Sequence, residues 1–222
     1  MWKGMIYKEW LKIRWFLLIY AAIGLLSVVY IFIRVQHDIT FSSPNGYWYF
    51  LLFMGGQYFS LLKFLPAIGA LAVAIAQYFP ETVSKRIKLT FHLPVNENKA
   101  LLTMWLFGAG TLLLSYLLQF LLFGGFSLIY LPQDIIAPAL SSVIPWFLAG
   151  FACYNLTALI VLEPVWKYRI FYLVIAVLFI PLLLQSALTA GFTPVNPYMA
   201  ILVLLSSFSL LFSGYRFRKG EM

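Results

Sequence analysis

The sequence predicts an all-α integral membrane protein with a single transmembrane domain, residues 1–222, that crosses a bilayer about six times. The first observation is composition: 63% of the residues are hydrophobic and 10% are charged, whereas soluble domains have roughly 45–50% apolar and about 25% charged residues. The second is that the apolar residues form runs of about twenty, the length that crosses a hydrocarbon core of about 30 Å. The third is that Lys and Arg cluster beside these runs, as membrane-flanking anchors do. The chain therefore has no room for a soluble catalytic domain.

Each predicted span is a long apolar run bounded by charged residues, proline or glycine. The six runs cover residues 15–33, 57–79, 100–123, 142–162, 170–190 and 198–215. On the side opposite the termini we expect an aromatic-rich loop at 34–49, a re-entrant or surface segment at 124–141 and a proline-containing turn at 191–197. None of these connections is long enough to form a separate domain.

Residues 1–14 precede the first span and predict an amphipathic elbow helix on the cytoplasmic membrane surface. At 100° per residue, one helical face carries Trp2, Ile6, Trp10 and Ile13. Lys8 and Lys12 fall on the opposite face, where they would meet anionic head groups. A simple cationic anchor beside the first span explains the same lysines, so both interpretations stay open.

The distribution of basic residues predicts which side of the membrane the chain ends occupy. In the six-span topology, all 15 Lys and Arg residues except Arg34 and Lys63 lie on the side of the two termini. Because Lys and Arg are enriched in cytoplasmic loops, we expect both termini and the segment 81–99 in the cytoplasm.

The residues that most catalytic sites require are dispersed in the sequence or absent from it. No Gly-rich loop is followed by Lys and Ser or Thr, so the chain lacks a P-loop for nucleotide phosphates. His37 and His92 fall on opposite sides of the predicted membrane, and Cys153 is the single cysteine, which disfavours a metal site and excludes an internal disulfide. We therefore expect no catalytic residue, metal or cofactor in this chain.

The segment 81–99, ETVSKRIKLTFHLPVNENK, is the longest and most charged of the predicted cytoplasmic connections. Lys85, Arg86 and Lys88 alternate with apolar residues, which predicts a short interfacial helix. This helix would end before Pro94, since the residue preceding a proline is disfavoured in helical geometry. A solvated basic turn explains the same composition and is the alternative.

The basic amphipathic N-terminus, the six spans and the 81–99 segment together resemble the membrane subunit of a type-2 ABC (ABC-2) transporter. In that family the loop between the second and third spans begins with an acidic residue. It then passes through a Leu-Pro-Val-Ser-Arg-like stretch to a lysine that opens the third span. The residues at matching places are Glu81, Leu93, Pro94, Val95 and Lys99. The chain departs from the pattern at Asn96-Glu97, which replaces Ser-Arg.

What this resemblance implies is a permease subunit, usually of an exporter, in the bacterial cytoplasmic membrane. It implies that the chain pairs with a second copy or a similar permease and binds two cytosolic ATP-binding subunits, which hold ATP and Mg²⁺. The elbow helix and the 81–99 loop, with its coupling helix, would receive the movement of those subunits. The implied coupling residues are Glu81, Lys85, Arg86, Lys88, Leu93, Pro94 and Val95.

Four polar residues in the predicted spans are candidates for a translocation path, because polar groups are costly in the hydrocarbon core. They are Lys63, Gln57, Gln119 and Gln185. All four fall in the outer halves of their predicted helices, so together they would line an outward-facing vestibule. Snorkelling explains Lys63 alone, and interhelical hydrogen bonds explain each glutamine taken singly.

Two other function classes stay open at the level of sequence. A stand-alone carrier driven by an ion gradient would be favoured by inverted repeats or broken helices, and no clear pair of interrupted segments is present. A membrane enzyme, or the anchor of an enzyme complex, would be supported by a metal-binding cluster of His37, Asp38 and Asp134.

Overall fold

The computed structural model describes residues 2–41, 44–83, 97–185 and 194–219, and every regular element in these ranges is helical. The helices are α1 (Trp2–Phe41), α2 (Pro44–Leu52), α3 (Leu65–Val83), α4 (Glu97–Tyr130), α5 (Gln133–Leu162), α6 (Trp166–Leu183) and α7 (Asn196–Lys219), with a 3₁₀ turn at Ser60–Leu62. The predicted all-α class is confirmed.

Five helical stretches in the described ranges are long and apolar enough to cross a membrane. They are Lys3–Phe41, Ser60–Val83, Lys99–Tyr130, Gln133–Leu162 and Trp166–Leu183. The predicted sixth span, 198–215, falls in α7, whose described apolar part, Asn196–Ser209, is shorter than these five. The fold is therefore that of an all-α membrane protein with five full-length candidate spans among the described residues.

Residues 2–41 form one helix rather than an elbow helix followed by a span. α1 runs for 40 residues without a break, about 60 Å at 1.5 Å per residue and roughly twice the hydrocarbon thickness. Its sequence contains no proline, so nothing interrupts the i to i−4 hydrogen bonds between 1–14 and 15–33. Arg34, His37 and Asp38, which were expected in a loop, lie in the last turns of this helix.

The amphipathic face predicted for 1–14 points the other way. Ile13 is buried, but Ile6 and Trp10 are exposed on the outside of the bundle. Lys8 and Lys12 point towards α3, where each contacts an acidic side chain. Apolar side chains tolerate an apolar exterior, whereas charged groups in membrane bundles face the protein interior and pair there. The lysines of this segment therefore face the bundle, whereas in a helix lying on a membrane surface they would face solvent and lipid head groups.

The predicted re-entrant segment 124–141 is mostly helical. α4 continues to Tyr130 and α5 begins at Gln133, so Leu131 and Pro132 alone separate the two helices. Pro132 occupies the N-cap of α5 in an extended conformation, where its missing N–H removes no helical hydrogen bond. The predicted surface helix pair is therefore a tight turn between two long helices.

The second span starts later in the chain than the apolar run suggests. α3 begins at Leu65, and residues 53–64 form turns, irregular backbone and the short 3₁₀ segment. Lys63 is the C-cap of the 3₁₀ turn and precedes α3. It is therefore outside the helix in which it was expected.

α5 is the central helix of the bundle, and α6 is peripheral. Of the most apolar stretch of α5, 61% is buried, against 11% for α6. α5 packs against α3, α4, α6 and α7, and α1 packs against α3 and α4. Small buried residues on α5, including Ala149, Gly150 and Ala152, let its neighbours approach closely. α6 presents exposed apolar side chains along its length, as a lipid-facing helix does.

Side-chain contacts define the direction of each long helix. α1 and α4 run one way, whereas α3, α5 and α7 run the other way. The contacts that fix these directions pair Glu9 with Gln77, Tyr20 with Gly69, Tyr20 with Gln119, Phe32 with Phe126, Phe59 with Trp146, Tyr78 with Tyr154, Trp105 with Asn155, Phe120 with Phe147, Ser141 with Asn196 and Asn155 with Ser206. α6 packs against α5 after a link of three residues, 163–165, and so reverses direction again.

Candidate functional site

Four ionic side chains meet where the start of α1 crosses the end of α3. Lys8 Nζ lies 2.8 Å from Glu81 Oε1, and Lys12 Nζ lies 2.7 Å from the same oxygen. Lys12 Nζ also contacts Glu9 Oε1 at 2.5 Å. Lys8 and Lys12 are one helical turn apart, so both ammonium groups reach the same carboxylate from one face of α1. With Gln77, these residues are called the lysine–glutamate cluster below.

The carboxylates of this cluster are almost completely excluded from solvent. Glu9 is 2% exposed and Glu81 is 1% exposed, and the side chain of Lys12 is 11% exposed. A buried charge without a partner destabilises a protein by several kcal/mol, whereas a paired charge has much of this cost offset. Two cations and two anions balance here, and that balance allows both carboxylates to be buried.

Gln77 connects the ionic groups to the rest of the bundle. Its Nε2 donates to Glu9 Oε2 at 3.0 Å and to the carbonyl oxygen of Met104 at 2.7 Å. Its Oε1 accepts a hydrogen bond from the Tyr154 hydroxyl at 2.7 Å. Since this uses the only proton of Tyr154, the hydroxyl of Tyr78, 3.1 Å away, donates to the Tyr154 oxygen. One amide thereby joins α1, α3, α4 and α5.

The close approach of α4 to this network requires a glycine. A Cβ placed on Gly108 would overlap the Tyr154 hydroxyl and Gln77 Oε1. Gly110, two residues further along and on the opposite side of the same helix, has open space around its Cβ position. The glycine at position 108 therefore makes room for the hydrogen bonds of Gln77.

Of the predicted coupling residues, Glu81 is described by the structure. Lys85, Arg86, Lys88, Leu93, Pro94 and Val95 lie outside the described residues. Glu81 was expected at the surface of a loop, but it is in α3 and bound by Lys8 and Lys12. Sequence reasoning missed this pairing because it assigned the two lysines to a separate surface helix. The available signal was the polar pair Gln77 and Glu81, four residues apart on an otherwise apolar helix.

The four candidates for a translocation path lie in different surroundings. Gln119 is buried between α1 and α4, where its Oε1 accepts a bond of 3.2 Å from the Tyr20 hydroxyl. Its Nε2 has no hydrogen-bond partner among the described residues. Lys63 Nζ lies 5.5 Å from the ring centre of Phe64, and Gln185 is exposed just beyond α6. Gln57 lines a cavity near the C-terminal end of α1, the end that is remote from the lysine–glutamate cluster.

That cavity, called the arginine pocket below, has a volume of about 180 Å³. Its polar lining consists of Arg34, Asp38, Tyr47, Gln57, Tyr58 and Ser60. A larger groove of about 540 Å³ adjoins it and shares Arg34, Tyr58 and Ser60. Arg34 therefore stands at the junction of the two cavities.

The charged groups of the arginine pocket act on Tyr47, which lies on α2. Burial raises the pKa of Tyr47 to about 12, and the Asp38 carboxylate adds to that rise, whereas the Arg34 guanidinium opposes it. His37 Nδ1 lies 3.4 Å from Asp38 Oδ1. The pocket thus holds a cation and an anion in neighbouring turns of α1 with a neutral phenol beside them.

The described residues contain no group of three or more His, Cys, Asp or Glu side chains that could hold a metal ion. Asp134, which would complete a metal cluster with His37 and Asp38, lies in the first turn of α5.

At the other end of α5, Arg169 donates to the carbonyl oxygen of Glu163 through Nη2 at 2.6 Å and Nε at 3.2 Å. The turn after α5 is thereby held by a cationic side chain.

No protein-family model matches the chain, and no curated protein or solved structure matches it.

Proposed function

We propose that this chain is the permease subunit of an ABC-2 type transporter, driven by two cytosolic ATP-binding subunits. The lysine–glutamate cluster carries the proposal. It ties the start of α1 to Glu81, the residue that opens the basic segment 81–99. A force applied to that segment would reach α1 through buried ion pairs, so the two parts expected to contact an ATPase move as one unit.

The hydrogen bonds of Gln77 support the same role. They extend the cluster from α1 and α3 to the backbone of α4 and to Tyr154 on α5. A displacement at the end of α3 is therefore resisted by three other helices rather than absorbed by one side chain. This arrangement suits the transmission of movement from a partner into the bundle.

The helix directions support a six-span topology with both termini on one side. α1, α4 and α6 run opposite to α3, α5 and α7, which puts the start of α1 and the end of α3 at the same end of the bundle. Lys3, Lys8, Lys12 and Arg14 lie at that end, which favours the cytoplasmic side of a bacterial cytoplasmic membrane. In this proposal the chain pairs with a second copy or a similar permease as part of an exporter, and it binds no nucleotide itself.

The experiment that tests the proposal is a native pull-down. The tagged chain is extracted gently from its own host, and the co-purifying chains are identified by mass spectrometry. We expect a cytosolic subunit with a P-loop, at a ratio of one per permease. Reversing the charge of Lys85, Arg86 and Lys88 to glutamate should remove that subunit.

A matched control distinguishes contact from general charge effects. Lys167→Glu changes an exposed cation in the first turn of α6, on the same side of the proposed membrane. It should leave the pull-down unchanged. Recovery of the wild-type chain without any ATP-binding protein, even after chemical cross-linking in cells, would refute the proposal.

A second candidate is a carrier driven by a proton gradient, and the burial of Glu9 and Glu81 favours it. Ionisable groups inside a membrane bundle are often parts of proton relays. In proteoliposomes that contain only this chain and an internal pH-sensitive dye, such a carrier would move protons, and Glu9→Gln and Glu81→Gln would abolish that flux. The permease proposal expects no proton flux in the absence of the ATPase.

A further inference from the structure

The groove beside the arginine pocket has the dimensions of a lipid chain. Its apolar walls are formed by Ile23, Ile31, Leu61, Phe64, Leu65 and Ile68. Along α1 it extends from Ile23 to Arg34, about 16 Å at 1.5 Å per residue. One leaflet contributes about half of a hydrocarbon core of about 30 Å. The groove therefore spans about one leaflet.

The groove lies on the outer surface of the bundle, where lipid chains would contact it. Ile23 is 47% exposed, Phe64 is 55% exposed and Ile68 is 65% exposed. A linear chain would cover these side chains from outside. Its polar end would then meet Arg34, Tyr58 and Ser60, which line both the groove and the arginine pocket.

The polar end of the groove has a defined order of charges. Arg34 stands at the junction of the two cavities, and its planar guanidinium is suited to a phosphate. Asp38 follows one helical turn later and lines the arginine pocket but not the groove. A ligand that matches this order has an apolar chain, then an anion, then a cation.

We propose that this site binds a phospholipid with an amine head group, of the phosphatidylethanolamine class. The phosphate lies against Arg34, the ammonium lies in the arginine pocket near Asp38, and one acyl chain lies in the groove. Tyr58 fixes the wall between the two parts, because its ring packs against Phe123 with centroids 5.9 Å apart and its hydroxyl lies 3.4 Å from Ser127 Oγ.

The test is native mass spectrometry of the delipidated full-length chain in detergent. Phosphatidylethanolamine, phosphatidylglycerol and soluble glycerophosphoethanolamine are added separately at equal concentration. We expect a one-lipid adduct with phosphatidylethanolamine that is about tenfold more abundant than with phosphatidylglycerol, the ratio expected from one charge-assisted contact. Glycerophosphoethanolamine should bind at least about tenfold more weakly, since it lacks the acyl chains.

Variants separate the three parts of the site. Arg34→Gln should reduce both lipid adducts about tenfold, whereas Asp38→Asn should remove the preference for the amine head group. Ser27 also lines the groove, and Ser27→Trp, which fills the groove without changing a charge, should reduce both adducts as well. Arg14→Gln is the matched control, because Arg14 is also an exposed arginine of α1 but lies near its other end.

Three outcomes would overturn the proposal. The first is that Arg34→Gln and Ser27→Trp both form lipid adducts as abundant as those of the wild-type chain. The second is binding of glycerophosphoethanolamine as strong as that of the lipid, which would indicate a soluble head-group compound. The third is a wild-type chain that forms dimers and excludes every lipid, which would assign the groove to a second copy.

Discussion

The lysine–glutamate cluster and the arginine pocket lie on the same helix and contain similar groups, but their charges are arranged differently. In the cluster, Lys12 and Glu81 are 2.7 Å apart and nearly excluded from solvent. In the pocket, Arg34 is exposed and lines two cavities. Lys12 and Arg34 are separated by about 33 Å of helix, close to the thickness of a hydrocarbon core. Oppositely charged side chains that pair with each other hold the bundle together, whereas charged side chains that line a cavity are available to bind a ligand.

The largest effect should come from breaking the cluster at Glu81. Glu81→Gln leaves Lys12 buried with one of its two carboxylate partners removed, and loss of one partner of a buried ion pair costs about 3–5 kcal/mol in soluble proteins. We expect a loss of about 3 kcal/mol, measured by thermal or denaturant unfolding in lipid nanodiscs. Asp38→Asn in the arginine pocket is the control and should change the stability by less than about 0.5 kcal/mol. Equal stability of the two variants would contradict the distinction drawn between the regions.

The next effect compares two buried glutamines. Gln77 makes hydrogen bonds through both ends of its amide, but Gln119 Nε2 has no partner among the described residues. Gln77→Leu leaves acceptors on Glu9 and Met104 without a donor, which should cost about 2–3 kcal/mol. Gln119→Leu removes an unsatisfied donor but also removes the acceptor of the buried Tyr20 hydroxyl, so it should cost less than the change at Gln77, about 1 kcal/mol. A larger loss of unfolding free energy for Gln119→Leu than for Gln77→Leu would show that the hydrogen-bond assignment is wrong.

A methyl group at Gly108 tests the same network without removing any polar atom. Gly108→Ala places its Cβ against Tyr154 and Gln77, and overpacking of this kind costs about 1–3 kcal/mol. Gly110→Ala has no atom within 4 Å of its Cβ and should stabilise α4 slightly, since alanine is the better helix former. Unfolding free energies of both variants check this prediction. A Gly108→Ala variant as stable as Gly110→Ala would mean that α4 is not held close to Gln77.

The class of fold could be predicted from the sequence because apolar runs long enough to cross a membrane are recognised without knowing how the helices pack. The predicted spans at 100–123 and 142–162 lie inside α4 and α5 for that reason. Their ends could not be predicted, because Gly124 and Gly125 continue a helix that they would often end in water. The start of α3 was also missed, since residues 57–64 are as apolar as a span but form turns.

The candidate site depended on information that the local pattern does not contain. Lys8 and Lys12 were assigned to lipid head groups because their spacing fits an amphipathic surface helix. Their partner, Glu81, lies on another helix, and only the antiparallel packing of α1 and α3 brings the three together. Gln57, which was predicted to line a translocation path, lines the arginine pocket, but its neighbours Arg34 and Asp38 were expected in a loop rather than on α1.

The smallest effect should be that of Arg34→Gln on the chain without lipid. Arg34 is exposed, so its removal should change the unfolding free energy by less than about 0.5 kcal/mol. Added phosphatidylethanolamine stabilises whatever state binds it, by about 1.4 kcal/mol when the free lipid is near tenfold above its dissociation constant. Wild-type chain should therefore become more stable as this lipid is titrated, while Arg34→Gln should not. We expect the opposite for Glu81→Gln in the lysine–glutamate cluster. Without lipid this variant should have a lower unfolding free energy than the wild type, and added lipid should stabilise it as much as the wild type. If Arg34→Gln instead lost several kcal/mol without lipid, the arginine would be part of the structural core, and the contrast between the two ends of α1 would disappear.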